Sequence, residues 1–139
     1  MITQEKFFNA VEKIKVDGLW SLGLIIGQTK VTELDLIDHK KEKIIIDDSL
    51  TVQAFLDLFM KAFVNGAWVI LEIKKNLSAE IYNQLKLLST QNRLQLPTGE
   101  VVHQPGSVRI VAVVETKTLK LIEVFYPDFR YLFGPVINL

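Results

Sequence analysis

Gly66-Ala67-Trp68-Val69-Ile70-Leu71-Glu72 sets a turn residue ahead of five apolar positions and one carboxylate. A strand with one wet face alternates apolar and polar residues. This run does not alternate, so it must be covered on both faces, as the central strands of parallel α/β sheets are. Ligands of such sheets bind beyond the carboxyl ends of the strands. Glu72 therefore marks the end of the sheet at which a site is expected.

On the N-terminal side of this strand, Asp47, Asp48, Ser49 and Thr51 supply turn and N-cap chemistry for a helix whose apolar stripe is Phe55, Leu58, Phe59, Ala62 and Phe63. Asn65-Gly66 closes that helix. Ile44-Ile45-Ile46 reads as a short strand before it. Leu19 to Ile26 reads as another, with Gly27 at its exit. Between them, Val31, Leu34 and Ile37 at a spacing of three give a helical signal over 28–38. Thr3 caps a first helix to about Lys15, with Phe7, Phe8, Val11 and Ile14 on one face.

On the C-terminal side, Asn76 or Ser78 caps a helix that buries Ile81, Leu85 and Leu88 and fades near Asn92. Leu94 to Val102, with Pro97-Thr98-Gly99 at its centre, predicts a β-hairpin projecting from the layer. Val108 to Val114, broken only by Arg109, is a second buried strand ending at Glu115. Leu119 to Phe125 fits a helix or a strand. Pro127, Gly134 and Pro135 make the tail irregular until Val136-Ile137. Strands alternating with helices predict an α/β fold, a parallel sheet with helices on both faces and one inserted hairpin.

The 139 residues fit one domain, and at this size a domain buries roughly two-thirds of its unfolded surface. Sixteen basic and sixteen acidic residues cancel, and no basic block exceeds Lys40-Lys41-Glu42-Lys43, so nucleic acid is not expected as a partner. The absence of cysteine excludes disulfides and thiolate zinc sites, and the two histidines, His39 and His103, stand far apart; no metal centre is expected. The longest nearly uncharged run, Gly18 to Gly27, falls well short of the ~20 residues of a membrane span, which points to the cytosol. Hydrophobic residues make up 49% of the chain, and this suggests apolar surface reserved for a protein partner or for self-association.

The order of the pieces, GQTKVTELDLI, IIIDDS, AFLDLFMKAFVNGAWVILE, a hairpin, RIVAVVE and YLFGPV, resembles the large α/β subdomain of an AAA+ module of the dynein heavy-chain type, with midasin-like and MoxR-like modules more distant. The most specific parts are Gly-Ala-Trp before the acidic strand, the 39-residue spacing from Thr29 to Trp68, and Leu-Phe-x-Pro-Val near the end. The resemblance implies a three-layer, P-loop-NTPase-like fold spanning 1–139. It also implies that the helical lid subdomain is missing, because the chain ends where that lid would begin.

In that family the first loop holds phosphate on backbone N–H groups, with a Lys at the β/γ-phosphates and a Ser/Thr on magnesium. Gly27-Gln28-Thr29 occupies the end of the motif: Thr29 is kept, Gln28 replaces the Lys, and Ile25 and Ile26 resist the positive φ angles an anion nest needs. The alternative is a plain strand and turn. The family's Asp-Glu falls on Glu72 and Ile73; Ile73 accepts no proton, and losing a general base costs about a hundred- to ten-thousand-fold in rate. Glu72 is then either a metal-facing carboxylate or a strand-end charge in water or paired with Lys74 or Lys75. Glu115 stands where a polar sensor is expected and would repel phosphate. Gly134 replaces the Arg that follows Leu-Phe in related modules.

Three readings follow from the resemblance. The first is a non-catalytic module for structure or protein interaction, with no cofactor. The second holds magnesium-ATP or magnesium-ADP on Thr29, Glu72 and backbone amides without hydrolysing it, Gly27, Gln28 and Glu115 being the other positions of the degenerate nucleotide site. The third is a fragment of a dynein-type ATPase motor. A cytoskeletal or ciliary setting is implied by analogy with the family.

Overall fold

A computed structural model describes residues 22–27 and 40–138, together with the helical positions Glu5, Asn9 and Glu12. Those three positions fall within the span expected of the first helix. The rest of that span, residues 19–21, the helical signal over 28–38, and Gln28 and Thr29 lie outside the described residues.

The elements are β1 (Leu22–Ile26), β2 (Lys41–Ile46), α1 (Val52–Asn65), β3 (Trp68–Ile73), α2 (Ala79–Gln91), β4 (Arg93–Gln95), β5 (Val101–His103), β6 (Ile110–Val114), α3 (Thr116–Phe125), a 3-10 turn (Phe129–Leu132) and β7 (Val136–Asn138). Five strands form one sheet in the order β2-β3-β6-β1-β7, every neighbouring pair parallel. The fold is α/β, a parallel sheet packed with helices, and β4 and β5 make a separate antiparallel hairpin.

The registers decide what each face carries. Leu24, Ala112, Leu71 and Ile44 lie side by side, as do Ile26, Val114, Ile73 and Ile46. These rows share one core with Phe55, Phe59 and Phe63 of α1, Ile81, Leu85 and Leu88 of α2, and Leu119 and Ile122 of α3. The three helices fall on one face for a topological reason: β2 to β3, β3 to β6 and β6 to β7 all step the same way across the sheet, and parallel crossovers are right-handed. The opposite face presents Ile25, Val113 and Ile70, which are buried as completely.

Local chemistry sets the helix ends. Thr51 accepts a hydrogen bond from the Ala54 amide at 3.1 Å, and Ser78 accepts one from Ile81 at 3.2 Å, so Ser78 is the cap of α2 while Asn76 accepts from Leu77. Helix α1 ends at Gly66, whose φ of 64° is left-handed and whose N–H donates to the carbonyls of Ala62 and Phe63. Two expectations are sharpened. Strand β2 begins at Lys41, inside the charged run, and Leu119 to Phe125 belongs to a helix that starts at Thr116. The hairpin does not stand free of the body: Leu94 is fully buried, and the Gln84 side-chain amide on α2 pairs with both backbone groups of Gln95, at 2.8 and 3.1 Å.

A Cβ at position 66 would meet no atom within 4 Å, so the Gly66→Ala substitution tests backbone conformation alone. The expected loss is about 1–2 kcal/mol in denaturant unfolding, with the fold unchanged.

Candidate functional site

Strands β1, β6 and β3 are neighbours, so the residues at their carboxyl ends share one edge of the sheet. Gly27, Glu72, Ile73, Lys74, Val114 and Glu115 line a cleft there with about 10 Å³ of free space, room for roughly one water. Three of the five expected site residues, Gly27, Glu72 and Glu115, are thus brought together. The other two, Gln28 and Thr29, fall outside the described residues.

Glu72 is only 4% exposed, the one buried charged side chain among the described residues. Its register neighbours are Val113 and Ile45. An unpaired carboxylate in such a row would pay the full desolvation penalty. It is paired instead: Lys43 Nζ lies 3.3 Å from Oε1. Lys43 precedes Ile45 by two residues on β2, so it shares the same face and reaches Glu72 diagonally. Its own side chain is 30% exposed, so the pair is not sealed from water on the lysine side. This corrects the expected partners. Lys75 pairs with Asp48 at 3.6 Å, and Lys74 is exposed at the cleft rim. Sequence reasoning missed Lys43; the available signal was the alternation Lys41, Lys43, Ile45 along one side of β2.

The other positions contribute little to phosphate or proton chemistry. The Gly27 N–H donates to the Val114 carbonyl at 2.9 Å, which extends the β1–β6 ladder and occupies an amide that an anion nest would use. Ile73 turns into the helix-side core at 2% exposure, away from Glu72. Glu115 is exposed at the N-cap position of α3, and its carboxylate makes no capping bond. The Gly134 N–H donates to the Leu22 carbonyl, and the Leu24 N–H to the Pro135 carbonyl, so the segment around Gly134 stitches the chain onto β1. No group of three or more His, Cys, Asp or Glu side chains suited to a metal occurs among the described residues.

A second concavity, an open groove of about 400 Å³, runs between Val52 and Leu56 of α1, Asn83 and Leu87 of α2, and Leu96 and Pro97 of the hairpin. It holds no convergent charged set. No helix among the described residues is long and apolar enough to cross a membrane. No protein-family model and no curated protein sequence matches the chain.

Removing one partner of the pair leaves a charge stranded. Because Lys43 is 30% exposed, Lys43→Met alone should destabilise by about 1–3 kcal/mol, the penalty of an unsatisfied buried group, and Glu72→Leu with Lys43→Met should recover most of that loss, read from urea midpoints. Equal losses in the single and double variants would show that the pair is not what holds Glu72.

Proposed function

We propose that the chain is a non-catalytic domain on a dynein-type AAA+ framework, acting as a structural or protein-interaction module in the cytoplasm, with a cytoskeletal or ciliary setting by analogy. Support comes from β1 lying inside a parallel sheet with β6 beside it, so that Gly27 at the end of β1 and the ends of β3 and β6 meet at one edge. The observation that carries the reading is the closed state of Glu72. Its carboxylate is buried against Lys43, so it is not open toward a magnesium ion, and the next residue is a core isoleucine. A hydrolytic centre needs a free metal-facing carboxylate and a base within hydrogen-bond reach. Among the described residues of this cleft the carboxylates are Glu72, held by Lys43, and Glu115, exposed at the start of α3 beyond the strand end.

The convergence of Gly27, Glu72 and Glu115 where open α/β sheets bind ligands favours a second reading, a nucleotide bound without turnover. The two separate cleanly. A ligand at a hundred times its dissociation constant adds ~2.7 kcal/mol of stability. Magnesium-ATP and magnesium-ADP should leave the thermal midpoint unchanged, and phosphate release should equal background. A saturable upward shift abolished by Thr29→Ala would replace the first reading with the second, and release above background would replace both with an ATPase.

A further inference from the structure

Helix α3 has two apolar sides. Leu119 and Ile122 are fully buried, and Tyr126, just past its end, stacks on Tyr82 of α2 with ring centroids 4.1 Å apart. Leu121, Val124 and Phe125 point the other way and are 49%, 75% and 62% exposed. At about 100° per residue, Lys117, Leu121 and Val124 form the outward ridge. Lys120 and Glu123 lie along one flank of it, Thr118 and Phe125 along the other.

Charge is divided along the same helix. Lys117 and Lys120 occupy the N-terminal half, where the helix dipole disfavours cations, and the first turn holds no acidic residue. Neither lysine has an ion-pair partner among the described residues. The one carboxylate within the helix is Glu123 in the C-terminal half, fixed by Arg130 through bonds of 3.0 and 3.1 Å. The outward face is thus apolar along its centre and basic in its N-terminal half, with the Glu123–Arg130 pair on one flank of its C-terminal half.

We propose that this face packs on the same face of a second copy of the chain, the two α3 helices antiparallel about a two-fold axis passing near Leu121 and Val124. In an antiparallel pair each flank meets the same flank of its mate. Lys120 therefore meets Glu123 of the second copy, twice by symmetry, and joins the Glu123–Arg130 pair in a network. Leu121 meets Val124, Phe125 lies over Thr118, and each lysine-bearing N-terminus approaches the negative end of the other helix dipole. A parallel arrangement would set lysine on lysine. The exposed parts of the three apolar residues, with the lysine stems, amount to roughly 400–500 Å² per copy, so the pair buries close to the ~1,000 Å² at which specific interfaces begin. The dimer is accordingly weak and concentration-dependent. This names the partner in the interaction-module reading and rests on that reading for its meaning, while its geometry involves no nucleotide.

The full chain, which has no cysteine, allows a direct test. Sedimentation velocity from low micromolar to submillimolar concentration should show a monomer–dimer equilibrium. Lys120→Glu, which sets like charges together twice, should weaken it about tenfold. Val124→Glu should abolish it without changing the thermal midpoint by more than a small amount, because Val124 is solvent-facing. Under mild oxidation Leu121→Cys should form a disulfide dimer, whereas Val64→Cys, 85% exposed on α1, should not. A monomer at every concentration, a dimer indifferent to both charge variants, or equal cross-linking at positions 64 and 121 would overturn the proposal and leave the face to a different protein or to solvent. A magnesium-ATP shift in the same samples would overturn the non-catalytic reading and leave the dimer standing.

Discussion

A parallel sheet buried on both faces offers a carboxylate little water, and β3 carries Glu72, 4% exposed, near its carboxyl end. The ion pair between Glu72 and Lys43 resolves that conflict. It also ties β2 to β3 in one alignment. A one-residue slip of β2 would move Lys43 and Ile45 to the helix side, bring Ile44 and Ile46 to the other, and leave Glu72 buried without a cation. Replacing such a pair with apolar residues is often neutral or stabilising, so its value lies more in choosing the register than in adding stability. The sheet edge where a nucleotide would sit is thereby arranged around an internal contact.

Most of the fold was legible because the signals were local and redundant. Thr51, Ser78 and Gly66 each announce a helix end by a mechanism that works within four residues, and the unbroken runs in β3 and β6 require a double cover. The boundaries that moved did so under tertiary control. Lys41 to Lys43 reads as a polar run, yet it is strand: β2 lies at the edge of the sheet, where charged side chains are tolerated and help to keep foreign strands away. Hairpin residues 94–102 carry the turn chemistry that predicts their shape, but nothing within them tells that Gln84 will complete the open edge of β4.

The candidate site was legible in part, for a different reason. Gly27, Glu72 and Glu115 follow from strand ends, and the parallel topology carries all three to one edge. What each residue does there depends on partners remote in sequence. Lys74 and Lys75 are adjacent to Glu72 along the chain but lie beyond the end of the strand, whereas Lys43 is 29 positions away and directly alongside. The Gly27 amide likewise looks available until β6 is laid beside β1. Spacing identifies which residues meet; only the register tells which of their groups are already engaged.

The same distinction explains the one element whose type the sequence left open. Leu119, Leu121, Ile122, Val124 and Phe125 satisfy neither a single helical stripe nor a strict alternation. Packed against the sheet, α3 uses Leu119 and Ile122, and these alone would have read as a plain amphipathic helix. The confusion came from Leu121, Val124 and Phe125, the residues that remain exposed. A helix that must satisfy two interfaces writes two stripes into one segment, and their overlap erases the period of each. In α3 the residues that blur the pattern are the ones that packing among the described residues leaves exposed, and they stand on a helix whose two lysines lie in its N-terminal half. A solvated face would need neither arrangement: Lys and Glu at i and i+4 serve solubility, and exposed Phe, Val and Leu cost it. The ambiguity is therefore physical in origin: it comes from Leu121, Val124 and Phe125, which packing among the described residues leaves exposed.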